Sequence, residues 1–354
     1  MRRSRTTRAT RIAVAVTGLA LAATACGGTS SEAGDDDGSA KENLGLAIAY
    51  DVGGKGDQSF NDSAYEGLEK AKTEFGYKTA DQEPKDGESD DDKAQRLGNL
   101  AKAGYNPVVG IGYAYGPALE KVAKKYPKTT FGIVDSVVEG KNVASLVFAE
   151  NESSYLAGVA AAKATKSNHV GFVGGVDNEL INKFQAGFEQ GIKDTKKGVK
   201  VDVQYLDEDP AKGFASPDLG EAAADKQLED GADVIYHAAG LSGQGVIKAA
   251  AEKKKWVIGV DSDQYKQQTL AKYKDYILTS ALKEVGESVY TLAKSVEDKK
   301  PLTGVQTFDL KVNGVGASES NPKFKEISGL ADAVAKAKKG IVDGSIKVAV
   351  KPAK

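Results

Sequence analysis

Short apolar runs alternate with longer amphipathic segments from residue 44 onward. The apolar runs are typical of buried parallel strands, and the segments between them repeat apolar residues at helical spacing. Strands are predicted at Leu44–Tyr50, Val108–Gly112, Thr130–Asp135 and Val143–Phe148 in a first half, and at Val170–Val176, Val199–Leu206, Val234–Ala239 and Val257–Asp261 in a second half. Helices are predicted at Ser63–Phe75, Asp91–Ala103, Gly116–Lys125, Ser153–Lys163, Ile181–Thr195, Gly220–Asp230 and Ser242–Lys254. This alternation predicts the α/β class, with doubly wound sheets.

The last part of the chain does not continue a single sheet. It predicts a strand at Tyr276–Leu282, a helix at Glu284–Asp298, a strand at Gln306–Val312, a helix at Pro322–Lys339 and a strand at Ile346–Val350. The simplest arrangement is two doubly wound lobes joined by a hinge, with crossings near residues 150, 280 and 315. The first lobe is predicted to hold residues 44–150 and about 283–315, and the second residues 151–282 and about 316–354.

Residues 1–25 have the pattern of an export signal. Arginines without any acidic residue precede the uncharged run Ile12–Ala25, which fits a signal peptide and is too short for an ordinary membrane span. The small residues before the lone Cys26 resemble the lipobox of bacterial lipoproteins, which implies that Cys26 is diacylated and begins the mature protein. The alternatives are a buried free cysteine, or an ordinary signal peptide cut nearby. Residues 26–43 are predicted to be a disordered tether to the extracytoplasmic face of the cell membrane.

Charge and cysteine content exclude several classes of protein. The 354 residues include 48 Lys+Arg against 50 Asp+Glu, so the chain lacks the cationic surplus that nucleic-acid binding requires. One cysteine excludes a disulfide within the chain, and one cysteine with two histidines excludes a Cys/His zinc cluster. No cofactor is expected, and a monomer is the expected state.

Polar residues stand where several predicted strands end. Asp51, Asp135, His237 and Asp261 each follow or close an apolar run. Ligands of doubly wound sheets bind beyond the carboxyl ends of the strands, so two facing lobes would bring these residues to one cleft. For each aspartate taken singly, the alternative is a helix N-cap or a turn residue.

Three glycine-rich or charged segments carry candidate chemistry. In the loop from Asp51 to Asn61, Phe60 can stack on a flat ligand while Asp57 and Asn61 bond to its polar edge; alternatively Phe60 packs into the core. Gly240 opens a second loop whose N–H groups can meet ligand oxygens, or which simply starts a tightly packed helix. Asp261 and Lys283 can together grip vicinal hydroxyls, or form a structural salt bridge.

Catalytic signatures are weak in this sequence. It lacks the HExxH zinc motif, a P-loop ending and the GxSxG nucleophile elbow, and it offers no catalytic cysteine. We therefore expect a binding protein and not an enzyme.

Several blocks of sequence resemble one known family. DVGGKGDQSFNDSAYEGL, SYLAGVAAAKATKSNHVGFVGG, VIYHAAGLSGQGVIKAA, WVIGVDSDQ and ILTSALKEV are similar, in this order, to the basic membrane protein (BMP) family. The resemblance implies a lipid-anchored solute-binding protein of an ABC importer, with the two-lobed fold of type I periplasmic binding proteins. It implies a purine nucleoside as ligand, although some relatives bind riboflavin, and it implies membrane permease subunits as partners.

The resemblance also implies roles for individual residues. Phe60 would stack on the base with Asn61 beside it, and Phe184 would cover the opposite face. Asp135 would accept base N–H groups, Asp261 and Lys283 would hold the ribose hydroxyls, and Gly240 would offer backbone contacts, with Asp51 at the head of the first loop. The remaining alternatives are a surface-anchored nucleoside hydrolase and a ligand sensor that docks on a membrane receptor.

Overall fold

The computed structural model describes residues 44–353, which contain two six-stranded sheets. The predicted signal peptide of residues 1–25, the lipidated Cys26 and the tether of residues 26–43 lie outside the described residues. The strands are β1 (Leu44–Ala49), β2 (Lys78–Gln82), β3 (Val108–Gly110), β4 (Phe131–Val134), β5 (Val143–Phe148), β6 (His169–Gly174), β7 (Lys200–Tyr205), β8 (Val234–Ala238), β9 (Trp256–Asp261), β10 (Ile277–Lys283), β11 (Gly304–Phe308) and β12 (Val315–Ala317).

Helices lie between most of these strands, but β4 is followed directly by β5 and β11 directly by β12. They are α1 (Phe60–Phe75), α2 (Asp90–Ala103), α3 (Gly116–Lys125), α4 (Glu150–Ala164), α5 (Glu179–Thr195), α6 (Pro210–Ala215), α7 (Pro217–Glu229), α8 (Gly243–Glu252), α9 (Val285–Glu297), α10 (Lys323–Glu326) and α11 (Leu330–Val342). Short 3₁₀ turns follow β3 and β8, at Tyr113–Tyr115 and Gly240–Ser242.

Each sheet is the centre of one lobe. The first sheet has the order β11-β5-β4-β3-β1-β2 and is parallel throughout. The second has the order β12-β10-β9-β8-β6-β7, and only β12 runs antiparallel, against β10. The central strands are apolar and buried on both faces, as parallel sheets covered by helices require. The predicted class, two doubly wound α/β lobes, is confirmed.

The chain passes between the two sheets at three places. It leaves the first sheet after β5, returns after β10, and leaves again between β11 and β12. Helix α9 packs on α1, where the glycines Gly67 and Gly286 face each other and a Cβ on either would overlap the other helix's backbone. The crossings place Glu150, Lys283 and Leu310 at or beside the hinge. The exact domain boundaries given above stay a prediction.

The sequence pattern misplaced or missed elements near the chain end and at sheet edges. The predicted strand Ile346–Val350 is wrong. The segment pairs with no other strand and lies across α4 and α5. Asn151 Nδ2 donates to its Val348 carbonyl at 3.0 Å, and its Ala349 N–H donates to Gln190 Oε1 at 2.7 Å. The alternating apolar residues of this segment pack against the protein and not in a sheet, because Ile346 and Val348 contact the main core. The polar edge strand β2 and the short β12 were not predicted.

Candidate functional site

A cavity lies between the lobes, and its wall includes residues at the ends of β1, β4 and β9. Clefts between lobes of this kind are typical places for small-molecule sites. All eight residues that the sequence singled out for binding line this one cavity: Asp51, Phe60, Asn61, Asp135, Phe184, Gly240, Asp261 and Lys283. Strand-end reasoning accounts for Asp51, Asp135 and Asp261. His237, expected in the same cleft, is instead buried outside the lining, with its Nε2 3.1 Å from Gln264 Oε1. The role of each residue in binding stays a prediction.

Two cavity aspartates share an unusual backbone conformation. Asp135 follows β4 with φ 67°, and Asp261 closes β9 with φ 61°. Few residues other than glycine adopt the left-handed region, and those that do cluster at functional sites, because the surrounding fold must compensate the strain. The same strained geometry occurs at equivalent strand ends of both lobes. It indicates that the fold holds these two carboxylates in the cavity wall for a functional role.

Lys283 ends β10 at the hinge, with its side chain only 2% exposed. Its Nζ lies 2.6 Å from Asp135 Oδ2 and 3.3 Å from Glu150 Oε1. The sequence suggested Asp261 as its partner, but among the described residues Asp261 makes no ion pair with Lys283. The register explains this, because Asp261 is paired with Leu282, and the next residue projects from the opposite face of the sheet.

Burial and charge set the protonation of this cluster. Burial raises the pKa of Asp135 to about 6, although the Lys283 ammonium opposes the rise. Burial alone would lower the pKa of Lys283, but the carboxylates of Asp135, Glu150 and Asp261 outweigh it and raise that pKa above its usual value. Lys283 therefore stays charged in the interior because acidic groups surround it.

One oxygen of the Asp135 carboxylate is hydrogen-bonded within the protein, and the other is available to a ligand. Its Oδ2 accepts from Lys283, whereas its Oδ1 is buried and has no hydrogen-bond partner within residues 44–353. A buried acceptor without a donor costs about 1–3 kcal/mol. A ligand N–H or O–H group in the cavity would remove that cost, so this atom is suited to recognise a donor.

Aromatic rings from both lobes surround the Lys283 ammonium. Its Nζ lies 5.1 Å from the ring centroids of Phe60 and Phe148, and 5.7 Å from that of Phe184. Phe60 begins α1 of the first lobe, Phe184 lies on α5 of the second, and both line the cavity. The site therefore combines flat apolar faces with a buried charge, which suits a planar heterocycle that carries polar groups.

The loop before α1 is fixed by Asp57 and Asn61. Asp57 accepts from the backbone N–H groups of Ser59 at 2.9 Å and Asn61 at 2.8 Å, and so caps the helix start. The Asn61 amide accepts from the Asp51 N–H at 3.0 Å and donates to Asp57 at 3.1 Å. Both ends of this amide thus have protein partners, and Asn61 serves here to hold the loop that presents Phe60.

Three residues at or beside the site were missed by the sequence analysis. Phe214 on α6 and Tyr113 after β3 line the cavity. Glu150 does not line it but forms an ion pair with Lys283. Phe214 also contacts Gly240, where φ is 53° and a Cβ would lie 3.3 Å from the Phe214 carbonyl oxygen. An aromatic residue in a polar segment, the signal that identified Phe60, also marks Phe214. Nothing in the sequence marks Glu150.

The half-buried Asp51 carboxylate makes the stability of the free protein depend on pH. Burial raises its pKa to about 7, although the hydrogen bond from the Val52 N–H opposes the rise. Between about pH 4 and pH 7 the folded protein therefore keeps a proton that the unfolded chain has released, so this group's contribution falls as pH rises. We expect wild type to lose melting temperature relative to Asp51→Asn between about pH 4 and pH 7, with no further relative loss above that range.

Thermal melts of both proteins across this range measure the effect. Asp86→Asn, on an exposed loop, is the control and should track wild type at every pH. A wild-type curve that stays parallel to that of Asp51→Asn would contradict the assignment.

Residues 44–353 contain neither a metal-binding cluster nor a membrane-spanning helix. No group of three or more His, Cys, Asp or Glu side chains there is arranged to hold a metal ion. None of the helices in that range is both long enough and apolar enough to cross a membrane.

Comparison with known proteins identifies related chains. Residues 46–348 match a family described as ABC transporter substrate-binding protein PnrA-like. The chain is 39% identical over 362 residues to the ABC transporter nucleoside-binding protein BmpA of Lactococcus lactis, covering 95% of this chain and 98% of that protein. It is 32% identical to basic membrane protein A1 of Borrelia garinii, covering 78% of this chain and 82% of that protein.

Solved structures agree with this relationship. An ABC transporter solute-binding protein from Aeropyrum pernix superimposes with a TM-score of 0.76 at 27% identity, over 87% of this chain and 93% of that one. A second, from Conexibacter woesei, shares the fold with a TM-score of 0.68 at 18% identity, over 86% and 98% of the two chains. The expectation of a two-lobed binding protein and not an enzyme is confirmed. The chain belongs to the PnrA-like family of ABC transporter substrate-binding proteins, the family that its sequence blocks resembled.

Proposed function

We propose that this protein captures a nucleoside, with a purine base preferred, and delivers it to the permease of an ABC importer. The observation that carries the proposal is that Asp135, whose Oδ1 has no hydrogen-bond partner among residues 44–353, lines a cavity with aromatic side chains from both lobes. An acceptor beside flat faces suits a heterocycle with an N–H edge. The nucleoside-binding relative from Lactococcus lactis, which the chain matches over nearly its whole length, adds support.

The base would lie between Phe60 and Phe184, one from each lobe. Stacking on an aromatic side chain contributes about 1–3 kcal/mol per base in single-strand nucleic-acid binding, and a similar contribution is expected here. A two-ring purine covers more of these faces than a pyrimidine does. Asp135 would accept an N–H of the base, which supplies selectivity because an unpaired buried acceptor is costly.

The sugar would lie toward Asp261 and Lys283. Asp261 lines the cavity and is 8% exposed, with its Oδ2 engaged by Ser59. Ribose hydroxyls both donate and accept, so a carboxylate and an ammonium can satisfy them together. Gly240 and Asp51 also line the cavity, where Gly240 contributes a small surface and Asp51 a polar one.

Closure of the two lobes about the hinge would trap the ligand and present a matched surface to the permease. The protein would act as a monomer, tethered through lipidated Cys26 to the outer face of the cell membrane. It would perform no chemistry on its ligand.

A thermal-shift panel on the purified protein tests the ligand class. We expect inosine, guanosine or adenosine to raise the melting temperature, because a ligand that binds only the folded state stabilises it. Uridine, cytidine, riboflavin, free ribose and free purine bases are the comparison ligands. A shift with riboflavin or with pyrimidine nucleosides alone would contradict the purine assignment, and a panel without any shift would contradict nucleoside capture.

A further inference from the structure

Side chains beside the cavity bind the loop before α1 directly to the second lobe. Ser59 Oγ donates to Asp261 Oδ2 at 2.5 Å, and Ser262 Oγ donates to the Ser59 carbonyl oxygen at 2.8 Å. Gln264 Nε2 donates to the Gln58 carbonyl oxygen at 3.1 Å. We name these five residues the cross-lobe latch. All five are buried, so these bonds form only while the lobes are in contact.

Ser59 occupies a position where serine ordinarily has another task. It is the N-cap residue of α1, and a serine there usually accepts a backbone N–H of its own helix. Here its side chain makes no capping bond, and Asp57 accepts the N–H groups of Ser59, Asn61 and Asp62 instead. The Ser59 hydroxyl is thereby free to reach across to Asp261.

Asp261 is the point where the latch meets the cavity. Its Oδ2 accepts from Ser59, while its Oδ1 makes no hydrogen bond with any of the described residues and the side chain lines the cavity. One carboxylate thus contacts the opposite lobe through one oxygen and is available to a ligand through the other. The strained φ of 61° at Asp261 leaves its orientation dependent on such contacts.

We propose that Ser59 is a positioning residue that couples ligand capture to lobe closure through Asp261. Its hydroxyl holds the carboxylate in the orientation that a ligand hydroxyl needs, and only the closed arrangement provides that bond. The inference rests on the proposed function, since it assigns a cause to the affinity of the same site. Ser59 does not line the cavity, and its hydroxyl lies closest to Asp261 Oδ2, with the Val260 carbonyl oxygen farther away at 3.3 Å.

The charges around Asp261 give a second readout. Burial raises the pKa of Asp261, while Lys283 and the Ser59 hydroxyl lower it and Glu150 raises it again. Asp135 interacts electrostatically with the same carboxylate. A ligand hydroxyl that donates to Asp261 needs the ionised form, so affinity is lost as pH falls through this pKa. Removal of the Ser59 hydroxyl raises the pKa further, and the loss should begin at higher pH.

The test compares Ser59→Ala with Ser262→Ala by calorimetric titration of inosine and guanosine. Both variants lose one hydrogen bond between the lobes, but only Ser59→Ala loses the bond to Asp261. We expect Ser59→Ala to raise both dissociation constants about tenfold or more, by the same factor for each nucleoside, because the lost bond involves a charge. We also expect its affinity loss to begin at higher pH than that of wild type or Ser262→Ala. Ser59→Thr, which keeps the hydroxyl, should restore the wild-type pH profile.

The outcomes separate this inference from the proposed function. If wild type binds neither nucleoside, both fail. If wild type binds and Ser59→Ala binds as tightly, the inference alone fails. It also fails if the affinity of Ser59→Ala falls no more than that of Ser262→Ala and its pH profile is unshifted. Circular dichroism checks folding; should Ser59→Ala not fold, Ser59→Cys replaces it, since a thiol keeps the shape but is a weak donor.

Discussion

Replacement of Lys283 by methionine should be the most destabilising single change at this site. Methionine matches the length of the lysine stem, but the buried Asp135 carboxylate would lose its ion-pair partner, whereas Glu150 would keep its ion pair with Lys183 at 3.0 Å. Removal of one partner from a buried charge pair costs about 3–5 kcal/mol, because the remaining charge stays desolvated and unpaired. Urea unfolding, followed by circular dichroism, measures the loss in the free energy of unfolding.

Lys248→Met is the matched control for this prediction. Lys248 makes an equally short ion pair, 2.7 Å to Glu221, but its side chain is 40% exposed and that of Glu221 is 31% exposed. Exposed pairs contribute about 0–1 kcal/mol, so the control should remain close to wild type. The loss in the free energy of unfolding of Lys283→Met should also become smaller as pH falls, since protonation neutralises the carboxylate that has lost its partner. Equal losses in the two variants would show that the Lys283 cluster is not the buried charge centre described above.

Asp135→Asn should abolish most of the ligand affinity while leaving the shape of the cavity intact. The Lys283 ammonium will draw the amide oxygen of the new side chain toward itself, because it can only donate. The amide nitrogen then takes the position of Oδ1, and under the proposed binding mode a donor meets the donor of the ligand. Loss of a charge-assisted bond together with this mismatch should weaken nucleoside binding about 100-fold or more.

Asp263→Asn provides the control for Asp135→Asn. Asp263 is two residues beyond Asp261 and also has a buried oxygen without a hydrogen-bond partner among residues 44–353, but it does not line the cavity. Calorimetric titration of both variants with the same nucleoside should show a large loss for Asp135→Asn and wild-type affinity for Asp263→Asn. Similar affinities in the two variants would remove Asp135 from the recognition site.

The sequence predicted the fold where burial dictates the residue pattern. Apolar runs such as Val143–Phe148 correspond to central strands, because a strand covered on both faces has to be apolar. The edge strand Lys78–Gln82 is polar and carries no such signal. The apolar residues of Ile346–Val350 indicated a strand, yet they pack on helices, and periodicity alone does not distinguish these two uses.

The site was predictable to the extent that it depends on strand ends. Asp51 and Asp135 lie together because parallel strands bring their carboxyl ends to the same edge of the first sheet, and Asp261 meets them from the corresponding edge of the second sheet. Contacts across the lobes were not predictable from the sequence. The Ser59–Asp261 bond joins residues 202 positions apart, and the pairing of Lys283 with Asp135 depends on how the lobes face each other. Sequence spacing carries no information about that orientation.

The three crossings between the sheets have a consequence for how the chain matures. Strand β11 completes the first sheet beside β5, and β12 completes the second beside β10, so both edges close only with the last fifth of the polypeptide. Until then β5 presents unpaired backbone groups, which are prone to intermolecular pairing. Neither half can therefore complete its sheet before residues 304–317 have been synthesised, and a truncation that removes this segment would damage both halves at once.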